Sequence, residues 1–221
     1  MDVARFAREL PALFEDFPAS EHPRDRRLAP VLEAVPGLAR ENNLALLNLA
    51  VSCLDAGESY AEAGSFRGTS LIGAALGNQA DLVAIDDFSK ADADQSELRE
   101  NLTRFGVLGV TILEGDVFEL LRGDSLAGKR IGVWYYDAGH AYEQQLDGLR
   151  LVEPYLADRA LLIVDDSDWE QVGAATRDYL AGQPKARLLF DVPGKEKGLP
   201  WWWEGMHVIA WKASRGKPAR S

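Results

Sequence analysis

Cysteine is nearly absent from this chain: Cys53 is the only one in 221 residues, so no internal disulfide is available, and its helical spacing assigns it to the core. No apolar run is long enough to span a bilayer, and Met1 to Glu9 carries charges throughout, without the apolar stretch of a signal peptide. A cytoplasmic protein with no membrane partner is the expectation. Positive charge is scarce as well. Lys and Arg number 24 against 35 Asp and Glu, giving a net charge of −11 and a pI near 4.8. Such a surface repels polyanions, which argues against a nucleic acid partner. Also missing is the dinucleotide fingerprint G-x-G-x-x-G: Phe66 stands where its second glycine would fall, which disfavours NAD.

What is present is a strand–turn–helix, Tyr60-Ala61-Glu62-Ala63-Gly64-Ser65-Phe66-Arg67-Gly68-Thr69-Ser70, running into the apolar helix Leu71 to Leu76. Gly64 and Gly68 allow a sharp turn and close approach of a ligand, and the helix start presents free N–H groups to its negative end. The segment reads as a nucleotide-type cofactor cradle. From Ser59 onward strands and helices alternate, which argues a parallel sheet covered on both faces. The predicted strands are Tyr60 to Ala63, Leu82 to Ile85, Thr111 to Leu113, Ile131 to Tyr136 and Leu161 to Val164. Arg187 to Asp191 and His207 to Trp211 follow as a terminal antiparallel hairpin. Helices are predicted from the capping sequence Asp94-Gln95-Ser96-Glu97 to Gly106, over Tyr142 to Tyr155, and over Trp169 to Leu180.

Before the first strand, three apolar faces at helical spacing predict a helical cap. Pro11 is expected to start or kink a helix there, Asn42 or Asn43 to cap the third, and Gly57 to stop it. The length suits one α/β domain. Its expected parts are a helical cap over 1–56, a core over 57–213, and a disordered tail over 214–221, which is almost without apolar residues.

The predicted strands end in acids: Asp86-Asp87, Glu114-Gly115-Asp116, Asp137 and Asp165-Asp166. In an open parallel sheet ligands bind outside the carboxyl ends of the strands, so these acids converge on one edge. Asp86 lies at the separation from Gly64 at which a strand-two acid reaches a ribose diol. Strands four and five would be neighbours about 4.8 Å apart, so Asp137, Asp165 and Asp166 can converge on a hard cation with oxygen ligands. The competing role for these acids is helix capping.

The pattern E-x-G-x-x-x-G-x-S, carried by Glu62, Gly64, Gly68 and Ser70, resembles motif I of class I S-adenosylmethionine (SAM)-dependent methyltransferases. With Asp137, His140, Asp165 and Asp166 the resemblance narrows to divalent-metal-dependent small-molecule O-methyltransferases, of the antibiotic-sugar (macrocin) type and more distantly the catechol type. It runs from about Glu41 to Trp211. It implies a Rossmann-like three-layer sandwich, with a seven-stranded, mostly parallel sheet whose last strand is antiparallel, under an N-terminal helical cap. It implies SAM as cofactor, with Glu62 and Ser70 near its methionine end, Asp116 on the adenine amino group, and Gly64, Phe66, Gly68 and Asp86 completing the site. Asp137, Asp165 and Asp166 would bind Mg²⁺ or Mn²⁺, and His140 with Asp137 would be catalytic, the imidazole near neutral pKa serving as general base. Relatives have Asp-Gly after strand four and Gly-Gly before strand five, where this chain has Asp137-Ala138 and Asp158-Arg159-Ala160.

The implied activity is methyl transfer to a hydroxyl of a small molecule, such as a sugar of a natural product. A metal-independent methyltransferase and a catalytically silent SAM-fold binding protein are the alternatives. A homodimer or higher homo-oligomer is compatible with either. Trp201-Trp202-Trp203 suits an acceptor, an interface or plain packing equally, while His22 and His207 read as a loop and a packed residue.

Overall fold

Among the described residues, seven strands and eight helices follow the expected alternation. In the computed structural model, which describes residues 1–90 and 94–213, the strands are β1 Ser59–Ala63, β2 Asp81–Asp86, β3 Thr111–Glu114, β4 Ile131–Tyr136, β5 Leu156–Asp165, β6 Ala186–Val192 and β7 Met206–Lys212. The helices are α1 Val3–Ala12, α2 Ala29–Ala34, α3 Glu41–Ser52, α4 Thr69–Ala75, α5 Gln95–Arg104, α6 Val117–Arg122, α7 Tyr142–Arg150 and α8 Glu170–Gly182. The tail expected at 214–221 lies outside the described residues. Strand order is β3-β2-β1-β4-β5-β7-β6, and β7 runs antiparallel to both its neighbours.

The two-residue period of the strands divides the core into two layers. Tyr60, Val133, Tyr135, Leu161 and Ile163 face one way and pack with residues of α1 to α5. Ala61, Ala63, Trp134, Tyr136, Leu162 and Val164 face the other way, onto Val117 and Leu121 of α6, Leu146 and Leu149 of α7, and Val172 and Ala175 of α8. The result is the three-layer sandwich. The N-terminal helices belong to the first layer. Glu41 to Val51 of α3 are all buried, so this helix is enclosed on every side.

Several boundaries differ from expectation, each for a local reason. Pro11 sits in the last turn of α1 and does not start or kink a helix; past it the N–H groups of Leu13 and Phe14 bond three residues back, and the helix ends. Arg40 precedes the first turn of α3, and Asn43, two positions inside the helix, accepts the Arg40 N–H at 3.2 Å, so neither Asn42 nor Asn43 is the N-cap. The helix stops at Ser52, before Gly57. α6, a short helix capped by Asp116, went unread because its six residues hold too little periodicity. β5 starts five residues early, placing Asp158-Arg159-Ala160 inside the strand. α7 ends at Arg150, with a 3₁₀ turn over Glu153–Tyr155 completing the connection.

Two polar devices lock the cap to the core. Trp201 and Trp202 both donate their indole N–H to the Pro18 carbonyl, at 3.2 and 2.8 Å, and Trp202 is buried against Phe14 and Phe17. The buried Asn48 of α3 donates to the carbonyls of Gly73 and Leu76, both at 2.8 Å, satisfying the otherwise open end of α4, and accepts from Arg27 at 2.7 Å. Asn48→Ala should therefore lower unfolding stability by about 1 to 3 kcal/mol in urea titration, because buried carbonyls lose their donor.

Candidate functional site

The carboxyl ends of the parallel strands open into a cavity of about 570 Å³. One side is the turn after β1. Gly64 and Gly68 have φ of +89° and +88°, which favours glycine, and a Cβ on Gly64 would lie 1.8 Å from the Asp137 carbonyl oxygen. The absent side chain thus admits the end of β4 as much as any ligand. Phe66, at φ +47°, donates its N–H to Asp86 Oδ2 at 2.7 Å, and Phe88 donates to Asp86 Oδ1 at 2.7 Å. Asp86 pins the turn from β2 and retains further lone pairs. Asp116 caps α6, its Oδ1 accepting from Phe118 and Glu119 at 2.9 Å, while its other oxygen takes no part in the cap.

Gly64, Phe66, Ser70, Asp86 and Asp116 line the cavity, whereas Glu62 and Gly68 do not. Glu62 is wholly buried beneath the turn, accepting from Tyr60 OH at 2.6 Å and Ser70 Oγ at 3.3 Å. Burial, only partly offset by these hydrogen bonds, raises its carboxyl to about 7.

At the other side the fold brings together Asp137, His140 and Asp166, whose ligand atoms all lie within 4.8 Å of one another. This differs from the expected trio of Asp137, Asp165 and Asp166. Asp165 ends β5 in the same alternation as Ile163, which puts its carboxylate on the α1–α5 face. There it accepts Tyr135 OH at 2.5 Å and the Asp166 N–H at 3.0 Å. Burial and the charges of Asp137 and Asp166 push its carboxyl well above the usual range. Asp166, one residue on, adopts φ +55° and turns its side chain back to the cavity.

His140 Nε2 lies 2.8 Å from Asp166 and 3.5 Å from Asp137. Burial pulls the imidazole down, but the two carboxylates outweigh it and raise it to about 10, not the near-neutral value anticipated for a base. Burial and the nearby Asp166 raise Asp137 to about 6, against the opposing pull of His140. Nε2 of His140 and Oδ1 of Asp166 are buried without a hydrogen-bond partner, the short ion-pair distance lacking hydrogen-bond alignment. Two orphaned donor atoms beside a further carboxylate fit a divalent cation that accepts oxygen and one imidazole.

Sequence reasoning missed Tyr135, Trp169 and Glu204, and left Trp203 open between an acceptor, an interface and packing; all four line the same cavity. Tyr135 was legible in principle, since it pairs with Glu62 across β1 and β4. Trp203 separates from its two neighbours because it takes φ +56° and turns to the cavity while Trp201 and Trp202 pack on the cap.

A Rossmann-like sheet in this strand order, with its cavity at the parallel strand ends, defines the class I methyltransferase architecture. Residues 61–167 match the family model described as a methyltransferase domain. The chain thus has the fold of class I SAM-dependent methyltransferases, the fold that the resemblance to motif I implied. Similar solved structures include a provisionally assigned O-methyltransferase of Klebsiella pneumoniae, at 22% identity and TM-score 0.64 over 87% of this chain and 92% of that one. Another is the O-methyltransferase TomG of Streptomyces achromogenes, involved in tomaymycin synthesis and solved with SAM, at 16% identity and TM-score 0.61 over 97% and 100%. A third is the O-methyltransferase of Bacillus cereus in complex with SAH, at 14% identity and TM-score 0.60 over 86% and 92%. At these identities the likeness speaks for the fold. No curated protein sequence matches the chain. Among the described residues no helix is long and apolar enough to cross a membrane.

The ion pairing of His140 has a direct spectroscopic consequence. In metal-free protein its imidazole carbons should titrate by NMR with a midpoint near 10, so the ring remains protonated at pH 8. A midpoint at the ordinary 6.5 would mean that Asp137 and Asp166 do not hold the proton.

Proposed function

We propose that the chain transfers the methyl group of SAM to a hydroxyl of a small-molecule acceptor, assisted by a divalent cation. The observation that carries this reading is that the glycine turn and the Asp137–His140–Asp166 cluster line one continuous cavity. A donor held by the first would end beside the second. The sulfonium methyl is already activated, so the protein must align an oxygen with it, take the oxygen's proton and exclude water. In this reading the N–H groups around Ser70 receive the methionine carboxylate, Asp86 the ribose hydroxyls and Asp116 the adenine amino group. Glu62, beneath the wall, orders the turn through Ser70.

Mg²⁺ or Mn²⁺ held by Asp137, Asp166 and His140 or water would supply Lewis acidity that favours the alkoxide form of the acceptor. His140 can accept a proton only when its flanking carboxylates are otherwise neutralised, because between two bare acids it is already charged. The same ion pair favours a second reading, metal-independent transfer. There the imidazolium remains as counterion and Asp137, raised to about 6, receives the proton.

Two measurements test the assignment. Calorimetry should find SAM and SAH bound, with Asp86→Ala weakening both by about 1 to 3 kcal/mol; tighter binding of NAD would end the cofactor assignment. With an acceptor panel, excess EDTA should abolish turnover while SAM affinity persists, and His140→Ala should lower kcat by roughly 10²- to 10⁴-fold. Full turnover in EDTA would leave the metal-independent reading, and no turnover against any hydroxylated acceptor would favour a silent binding protein.

A further inference from the structure

The acceptor end of the cavity has a composition of its own. Trp169, 39% exposed, lies against His140 with ring centroids 5.0 Å apart, and Glu204 lines the wall near Trp203. Arg40 and Lys195 pack over the Trp203 ring at 4.5 and 5.5 Å, so the aromatic surface left for a ligand is that of Trp169. Glu204 is only 5% exposed. Its Oε1 contacts Lys195 Nζ, while Oε2 is buried with no hydrogen-bond partner. A buried carboxylate oxygen without a donor is costly, and such atoms in native proteins usually await a group from elsewhere.

The charge of the wall agrees. Among the described residues six carboxylates line the cavity against Arg67, Lys90 and His140, and Lys195 pairs with one of the six, Glu204. The single positive charge of a sulfonium donor and the two of a divalent cation would not reverse that excess when the imidazole is neutral. An anionic acceptor meets repulsion here, and an ammonium group meets attraction from Glu204 with cation–π support from an indole.

We propose that the acceptor is a hydroxylated amine, its protonated amino group paired with Glu204 and its scaffold against Trp169, while its hydroxyl faces Asp137 and Asp166. The inference rests on the methyl-transfer reading and narrows its substrate class. Lys195 holds one oxygen of Glu204, and the ligand's ammonium supplies the donor that the other lacks. Carboxylate-bearing and phosphorylated acceptors lack that donor and meet the carboxylates of the wall instead.

The test uses SAH-loaded full-length protein with Mg²⁺, and matched probes titrated by calorimetry and tryptophan fluorescence. The pairs are dopamine against 4-methylcatechol and glucosamine against glucose, with 3,4-dihydroxyphenylacetate as the anionic control. In at least one pair the amine should bind about tenfold tighter or better, the scale of one charged hydrogen bond, and the anionic probe should bind weakest of the catechols. Glu204→Gln should erase the amine preference while leaving SAH affinity unchanged, which also reports that the variant is folded. Equal binding within both pairs, no binding of either amine, or a preference that survives in Glu204→Gln would overturn the proposal. Should that variant fail to fold, the wild-type probe comparison decides alone. Failure of SAH to bind at all would instead remove the methyl-transfer reading, and this inference with it.

Discussion

The backbone contact between Gly64 and Asp137 is the constraint on which the site depends. A Cβ at residue 64 would lie 1.8 Å from the Asp137 carbonyl oxygen, so the ends of β1 and β4 can meet only if one of them has no side chain. The surrounding hydrogen bonds hold that approach: Gly64 N–H donates to Ile85 of β2, and Asp137 N–H donates to Ala63 of β1, at 2.8 and 2.9 Å. Because β1 lies between β2 and β4, this junction joins the strand bearing Asp86 to the strand bearing Asp137. The glycine turn and the Asp137–His140–Asp166 cluster are consequently joined through backbone hydrogen bonds. Any residue other than glycine at 64 would separate them by displacing a strand end, whether or not it touched a ligand.

That geometry concentrates negative charge. Glu62, Asp137 and Asp165 are all held above their ordinary carboxyl range, with burial as the largest cause in each. The protein answers each acid differently. Glu62 is given hydroxyl donors, Asp165 is given Tyr135 and a backbone N–H, and Asp137 with Asp166 is given a histidine. Only the last arrangement leaves buried atoms without hydrogen bonds.

Much of this was legible in the sequence, because the succession of strands along the chain, the glycine turn and the acids at strand ends are local patterns read one element at a time. The alternation of strands and helices came from such patterns, and the methyltransferase expectation from the family resemblance that the glycine turn and the strand-end acids carry. What escaped depended on direction. Asp165 and Asp166 are adjacent in sequence, yet strand alternation sends the first to the α1–α5 face, and a left-handed residue returns the second to the cavity. The pKa expected for His140 failed for a related reason: a residue three positions after Asp137 was read in isolation, whereas its charge state follows from Asp166 on another strand. Trp201-Trp202-Trp203 looked like one motif and divides between two tasks, since backbone torsion at Trp203 has no signature in the sequence.

Among the described residues, four other than glycine have positive φ: Phe66, Phe88, Asp166 and Trp203. Three of them line the cavity, and the fourth gives its N–H to Asp86, which does. For a bulky aromatic such a conformation costs on the order of 1 to 3 kcal/mol and persists only where surrounding contacts over-determine it. Here those contacts are identifiable: Asp86 holds Phe66 and Phe88, and the Trp203 carbonyl accepts the Lys195 N–H at 2.7 Å. Strain sits where the chain must leave a strand and immediately present a side chain or an N–H to the cavity. A relaxed backbone at Asp166 would continue the direction of β5 and carry its carboxylate away from Asp137. The cost of the left-handed turn is therefore the cost of assembling the cluster.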